Sequence, residues 1–345
     1  MSNTIVSLFT GAGGIDEGFH QAGFRTVFAT DNWTIACETF ALNNPGAEVK
    51  CVDVAAVDFR TIKKKYGPIK GLVGGPPCPP FSKSRFYRSE KKRGIDDVDG
   101  FLTVSNYFRA VEEIKPEFFF FENVAGFVYK PHREALTLVE NEAARLGYVI
   151  SWEVINTADY GVPQIRQRFI CVGLKKKYGA FTFPSPTHAE QPSKSSGLLP
   201  WTTAGDVIND LDIPHPDDVK NEAGSKHKHL LKLVPPGENY LYFTAERGHP
   251  KPEFKWRSRY WSFLLKLSPE KPSWTIQASH SNNMGPFHWR NRFLRIAEIK
   301  RLQTFPDGYK LLGSFRDQWR LVGNAVPPKL ARVVAESILL HLNKH

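Results

Sequence analysis

The sequence predicts an α/β protein: a Rossmann-like sheet with helices on both faces, plus a smaller, loop-rich domain. Three observations carry this reading. Residues 4–22 run from an apolar strand through a glycine turn into a helix. Acidic residues then recur at the ends of successive predicted strands. Near residues 175–200 the composition shifts to lysine, proline and serine and the periodicity is lost. A length of 345 residues suits two domains.

Taken in order, residues 4–9 are apolar and β-branched, as a buried first strand should be, and residues 15–22 have helical spacing. Between them, Thr10-Gly11-Ala12-Gly13-Gly14 lets backbone approach a ligand at a helix N-terminus. The dinucleotide fingerprint G-x-G-x-x-G would need glycine where Asp16 stands, so a smaller ligand without a pyrophosphate fits better. A second strand, 24–30, ends in Asp31, about twenty residues past the first glycine, where α/β nucleotide sites place a ribose-binding carboxylate. Asp53 closes residues 49–52 and suits the edge of an adenine; either aspartate also reads as an ordinary cap or turn residue.

Residues 69–73 form a short apolar strand leading into Gly74-Gly75-Pro76-Pro77-Cys78-Pro79-Pro80-Phe81-Ser82. Prolines on both sides stiffen the turn and aim the Cys78 thiol, although a structural cysteine in a proline-rich turn is an equal alternative. The basic stretch 82–100 reads as either a lid that meets phosphates or a plain surface loop, and a helix is expected at 101–114. Residues 118–121 are an aromatic strand ending in Glu122-Asn123-Val124. Glu122 behind four apolar residues can hold its proton toward neutrality and act as an acid.

A helix at 136–146 and a strand at 148–156 come next. Alternation over 164–169 then predicts one strand with Gln164, Arg166 and Arg168 on one face, suited to a phosphate or a polarised carbonyl, or to surface salt bridges. The region to about 271 interleaves basic and aromatic residues, Arg247, Arg257 and Arg259 among them. Such a mixture serves a nucleic-acid surface or the core of a small domain. A strand at 274–278, a helix at 296–305 and a last helix at 329–342, opened by Gly323-Asn324-Ala325-Val326-Pro327-Pro328, complete the chain.

Lys and Arg outnumber Asp and Glu by 46 to 35, a formal net charge of +11, which favours a polyanionic partner. The four cysteines show no C-x-x-C spacing, so neither a zinc site nor a disulfide framework is expected. With no apolar run near the length of a membrane span, a cytoplasmic protein with no membrane and no metal is expected.

Together these motifs resemble those of the DNA (cytosine-5)-methyltransferases, in that family's order: Leu8-Phe9-Thr10-Gly11-Ala12-Gly13-Gly14, Pro76-Pro77-Cys78, Glu122-Asn123-Val124, Gln164-Ile165-Arg166-Gln167-Arg168, Arg301-Leu302-Gln303-Thr304-Phe305-Pro306-Asp307 and Gly323-Asn324-Ala325-Val326. The resemblance implies an S-adenosylmethionine-dependent methyltransferase sheet over residues 1–178, a target-recognition domain over 179–272 and a return segment over 273–345. It implies catalysis by Cys78, Glu122, Arg166 and Arg168. The cofactor would lie against Phe9, Gly11, Ala12, Gly13, Gly14, Asp31, Asn32, Asp53, Val54, Pro76, Asn324 and Val326. Double-stranded DNA would meet Ser82, Arg85, Gln164, Arg247, Arg257 and Arg259, and a monomeric bacterial enzyme paired with a restriction endonuclease is expected. Three positions depart from the family pattern: Pro79 stands where glutamine is usual, Asp31 where glutamate is commoner, and Asn32 where an aromatic ring can stack on adenine. A tRNA cytosine-5 methyltransferase, a catalytically inactive DNA-binding relative and a nicotinamide oxidoreductase are the alternatives.

Overall fold

The computed structural model describes residues 3–77, 98–219, 223–279 and 281–344. Its strands are β1 (Thr4–Leu8), β2 (Arg25–Asp31), β3 (Glu48–Cys51), β4 (Gly71–Gly74), β5 (Phe118–Val124), β6 (Tyr148–Asn156), β7 (Gln164–Ile165) and β8 (Gln167–Lys175). All but β7 share one sheet in the order β3-β2-β1-β4-β5-β8-β6. From β3 to β5 the strands are parallel, while β8 runs antiparallel to both β5 and β6. After stepping outward through β2 and β3, the chain returns to β4 on the other side of β1. The carboxyl ends of β1 and β4 therefore flank a topological switch point, where open α/β sheets bind ligands.

The helices are α1 (Gly14–Gln21), α2 (Thr34–Asn43), α3 (Phe59–Tyr66), α4 (Val98–Ile114), α5 (Arg133–Arg145), α6 (Ala204–Ile208), α7 (Lys228–Leu233), α8 (Ile296–Leu302), α9 (Phe315–Asn324) and α10 (Pro328–Asn343). Both faces of the sheet are covered, and β5 shows why its sequence is apolar without a break. Phe119 and Phe121 enter the core made with α3, α4 and α5, whereas Phe118 and Phe120 enter the one made with α1 and α10. All four rings are fully buried, each contributing about 1.5–3 kcal/mol. On the second face, α1 and α10 approach so closely that a side chain at Gly18 would strike the Pro328 carbonyl.

Two further cores lie away from the sheet. One joins α2, α6, α8 and α9. The other belongs to a small lobe and is drawn from residues 223–293, including Leu231, Tyr240, Phe243, Leu264 and Phe287. The stretch following residue 179 does not enter that core. Phe181 packs with α10, and Trp201 Nε1 donates to Asp159 Oδ1 at 2.9 Å. Two short strand pairs, β9 (His188–Ala189) with β10 (Leu199–Pro200), and β7 with β11 (Ser273–Trp274), stand outside the main sheet.

Two expectations need correction. The single strand over 164–169 is broken at Arg166: β7 leaves the sheet for β11, and only β8 rejoins it. The strand expected at 274–278 is shorter, because pairing beyond Trp274 passes to side chains; Thr275 Oγ1 donates to the Ile165 carbonyl and Ile276 N to Gln164 Oε1. Among the described residues no helix is long and apolar enough to cross a membrane.

Candidate active site

The turn after β1 is built from unusual backbone. Phe9, Gly11 and Gly13 have φ of 55°, 52° and 78°, and Gly13 caps α1 in the left-handed region. Glycine carries this conformation without the steric cost of a Cβ. Asp31, at the end of β2, fixes the turn: its carboxylate accepts from Gly11 N and from Trp33 N, both at 2.9 Å. A carboxylate offers about four lone-pair sites, so capacity remains for a sugar hydroxyl. Side-chain space above Gly11 is open, with nothing among the described residues within 4 Å of an added Cβ. Beside it, the Thr10 hydroxyl is buried and has no hydrogen-bond partner among the described residues. An orphaned hydroxyl at the head of an open cradle is what a bound polar ligand satisfies.

The cradle is closed from distant parts of the chain. Tyr309 donates its hydroxyl to the Ala12 carbonyl at 2.5 Å, and the Val326 carbonyl lies against Gly14 so tightly that no side chain fits there. Asn324 is exposed at the end of α9, while the Val326 side chain is buried in the core under α1. Of the remaining cofactor candidates, Asn32 and Asp53 are exposed, Asp53 taking the Ala55 N–H at 2.8 Å. The Val54 side chain points into the core.

Next to this cradle lies the acid. Glu122, 5% exposed at the end of β5, pairs with Arg168 through an Nε–Oε1 contact of 2.9 Å. Burial pushes its carboxyl above the ordinary range, against the opposing pull of Arg168 and then Arg166. A Cβ on Gly75 would fall 2.7 Å from Glu122 Oε2, so the backbone of the proline loop lies against the acid. Asn123 Nδ2 donates to the Pro76 carbonyl at 3.3 Å and ties the loop to β5. Cys78, Ser82 and Arg85 lie outside the described residues.

Arg166 differs from its expected role. Its side chain is 1% exposed and its guanidinium donates to the carbonyls of Ile276, Gly323 and Ala325 at 3.0, 2.9 and 3.1 Å. It braces the turn that closes the cradle, while Arg168 pairs directly with Glu122. Gln164, expected at DNA, is wholly buried and bonded to Gln303 Oε1 at 3.1 Å, so it cannot touch a duplex. Arg247, Arg257 and Arg259 are exposed on the small lobe, with Arg247 paired to Glu238 at 2.7 Å. Thr10, Gly75, Gln303 and Tyr309 stood inside or beside quoted motifs, yet nothing in their local sequence marked them for the site.

A glycine cradle at the switch point beside a buried acid–guanidinium pair defines a nucleotide-type α/β enzyme. The model of the C-5 cytosine-specific DNA methylase family matches residues 3–340, and the chain belongs to that family. It is 36% identical to the Type II methyltransferase M.SacI of Streptomyces achromogenes, over 98% of this chain and 93% of that one. To M.MthTI of Methanothermobacter thermautotrophicus, also a Type II methyltransferase, it is 32% identical over 98% and 97% of the two chains. Among solved structures, S. pombe Dnmt2 methyltransferase superposes with a TM-score of 0.64 at 16% identity, covering 100% of this chain and 99% of that one, a likeness of fold.

Proposed function

We propose that this chain methylates C5 of one cytosine in a specific duplex DNA sequence, as the modification enzyme of a Type II restriction-modification system. It acts as a cytoplasmic monomer on nucleoid DNA, with a restriction endonuclease as its counterpart. The carrying observation is the buried Glu122 carboxyl, paired with Arg168 and touching the backbone at Gly75, three residues before Cys78. Such an acid suits a pyrimidine ring that must be protonated or hydrogen-bonded at N3 while a nucleophile adds at C6.

S-adenosylmethionine fits the cradle: the Phe9–Gly14 turn lines it, Asp31 takes a ribose hydroxyl, Asp53 and Asn32 edge the adenine, and the Asn324–Val326 turn closes the end. Bound there, it supplies the electrophilic methyl that C5 takes up. Cys78 adds its thiolate to C6, which makes C5 electron-rich. Glu122 holds N3 as charge builds on the ring, and Arg168 keeps that carboxyl oriented. Loss of the C5 proton to a base then expels the thiolate, restoring the aromatic ring and the free enzyme. Because C6 is shielded within a stack, the cytosine is first extruded. The small lobe and the segment leading into it, about residues 180–272, supply the target reading.

Cys78→Ser is expected to abolish methyl transfer from tritiated donor to duplex DNA while duplex binding persists; turnover by that variant would refute the covalent route. Duplexes carrying 5-fluorocytosine should trap a denaturation-resistant complex through Cys78. Bisulfite sequencing of DNA from expressing cells maps the site, and labelling of tRNA in place of DNA would overturn the substrate.

A further inference from the structure

Between Lys255 and Trp261 the small lobe turns three large rings and three cations to solvent. Trp256, Tyr260 and Trp261 are 40%, 61% and 52% exposed, beside exposed Lys255, Arg257 and Arg259. Large rings exposed together and rimmed by charge mark an interaction surface. The backbone beneath them is nevertheless held. Asn239, 2% exposed, donates Nδ2 to the Trp261 carbonyl at 2.8 Å. Tyr240, 1% exposed, donates its hydroxyl to the Arg259 carbonyl at 2.8 Å and accepts from Arg259 N at 3.2 Å.

Two buried polar side chains thus fix a loop whose own rings are unburied. The Trp261 ring also meets Trp274 edge-on, with 5.4 Å between centroids. Trp274 is the β11 residue opposite Ile165 of β7, and Ile165 precedes Arg168 by three residues, a span of at most about 11 Å. Arg168 in turn holds Glu122. The aromatic pair is thus tied, through the β11–β7 pairing, to the short stretch of chain that carries Arg168 and its bond to the acid.

We propose that Trp261, braced by Trp274, stacks on the DNA base flanking the extruded cytosine, with Arg257 and Arg259 on adjoining phosphates. Extrusion strips that base of a stacking neighbour, and an indole face replaces it; the basic residues match the backbone charge. The inference rests on the duplex-DNA reading above. Base–aromatic stacking of this kind is worth about five- to a hundredfold in affinity.

On the duplex mapped by bisulfite sequencing, Trp261→Ala is expected to raise Kd about tenfold or more by fluorescence anisotropy. Calorimetric S-adenosylmethionine affinity and the melting temperature should be unchanged, and Trp261→Phe should recover most of the loss. An abasic residue at one flanking position should weaken the wild type to the level of Trp261→Ala and leave the variant where it was. Equal duplex affinity for Trp261→Ala and wild type, or further loss in the variant at every abasic position, overturns the stacking role alone. Wild-type protein that binds no duplex overturns the functional reading together with it.

Discussion

The sheet lobe and the small lobe are held together by different means. In the first, strand ladders fix the backbone and alternation sorts side chains to two cores, as on β5. In the small lobe, short helical turns and isolated bridges such as Phe263 to Met284 replace ladders, and buried side chains bind backbone directly. Lys266 Nζ donates to the Val234 carbonyl; burial lowers that ammonium to about 8. At the lobe's edge Arg292 grips Glu298 of α8 through two bonds of 2.8 and 2.6 Å beside His288, whose imidazole is pushed down to about 3 by burial and then by Arg292. A ladder keeps its geometry whatever the exposed side chains are, which suits chemistry common to a family. Side-chain braces free the loop surface from any regular period, which suits recognition of one sequence among many.

That contrast can be broken at three points. The largest effect is expected on the sheet side, at Glu122→Gln: kcat should fall about 10²–10⁴-fold with duplex affinity retained. Burial raises the Glu122 carboxyl, so the wild type holds its proton above the ordinary glutamate range and loses activity as pH rises through the shifted value. The variant should lack that alkaline limb in kcat–pH profiles.

Next come paired variants of the two buried arginines. Arg166→Met leaves three carbonyls without their donor and should cost about 2–4 kcal/mol in urea unfolding, with a raised KM for S-adenosylmethionine. Arg292→Met removes the cation paired with buried Glu298 at a cost of about 3 kcal/mol, and its functional loss should fall on duplex affinity instead. Identical KM and Kd patterns for the two variants would erase the division of labour.

The smallest effect concerns Glu117 at the start of the sheet. Burial alone would raise its carboxyl, but hydrogen bonds from Lys175, Lys177 and Tyr178 hold it at about 2. This depressed value contributes stability that is full above the unfolded glutamate range, near 4.3, and is lost as pH falls toward about 2. Denaturation midpoints between pH 5 and 2.5 should drop less in Glu117→Gln than in the wild type.

What the sequence made legible follows the same division. The strands ending in Asp31 and Glu122 were readable because buried parallel strands are apolar runs and their ends are polar. The bond from Gly11 N to Asp31 was invisible in the sequence, since it depends on the glycine turn's dihedrals. Alternation misled at Gln164 and Arg166, because their burial is set by carbonyls and amides 110–159 positions away. Within the small lobe, 3-10 turns leave no period to follow, so its core could not be bounded from composition. Asp16 was read only as a missing glycine. In the structure it is buried, takes hydrogen bonds from Ser7 and Thr26 at 2.7 Å, and stitches β1, α1 and β2 together.

The bond from the Tyr309 hydroxyl to the Ala12 carbonyl joins positions 297 residues apart. A ribosome adding 5–20 residues each second takes roughly 15–60 s to travel between them. Through that interval the emerging chain already carries its first glycines but has no wall to set against them. The wall that Tyr309 sets against the glycine turn is therefore added only after the turn itself has long been made.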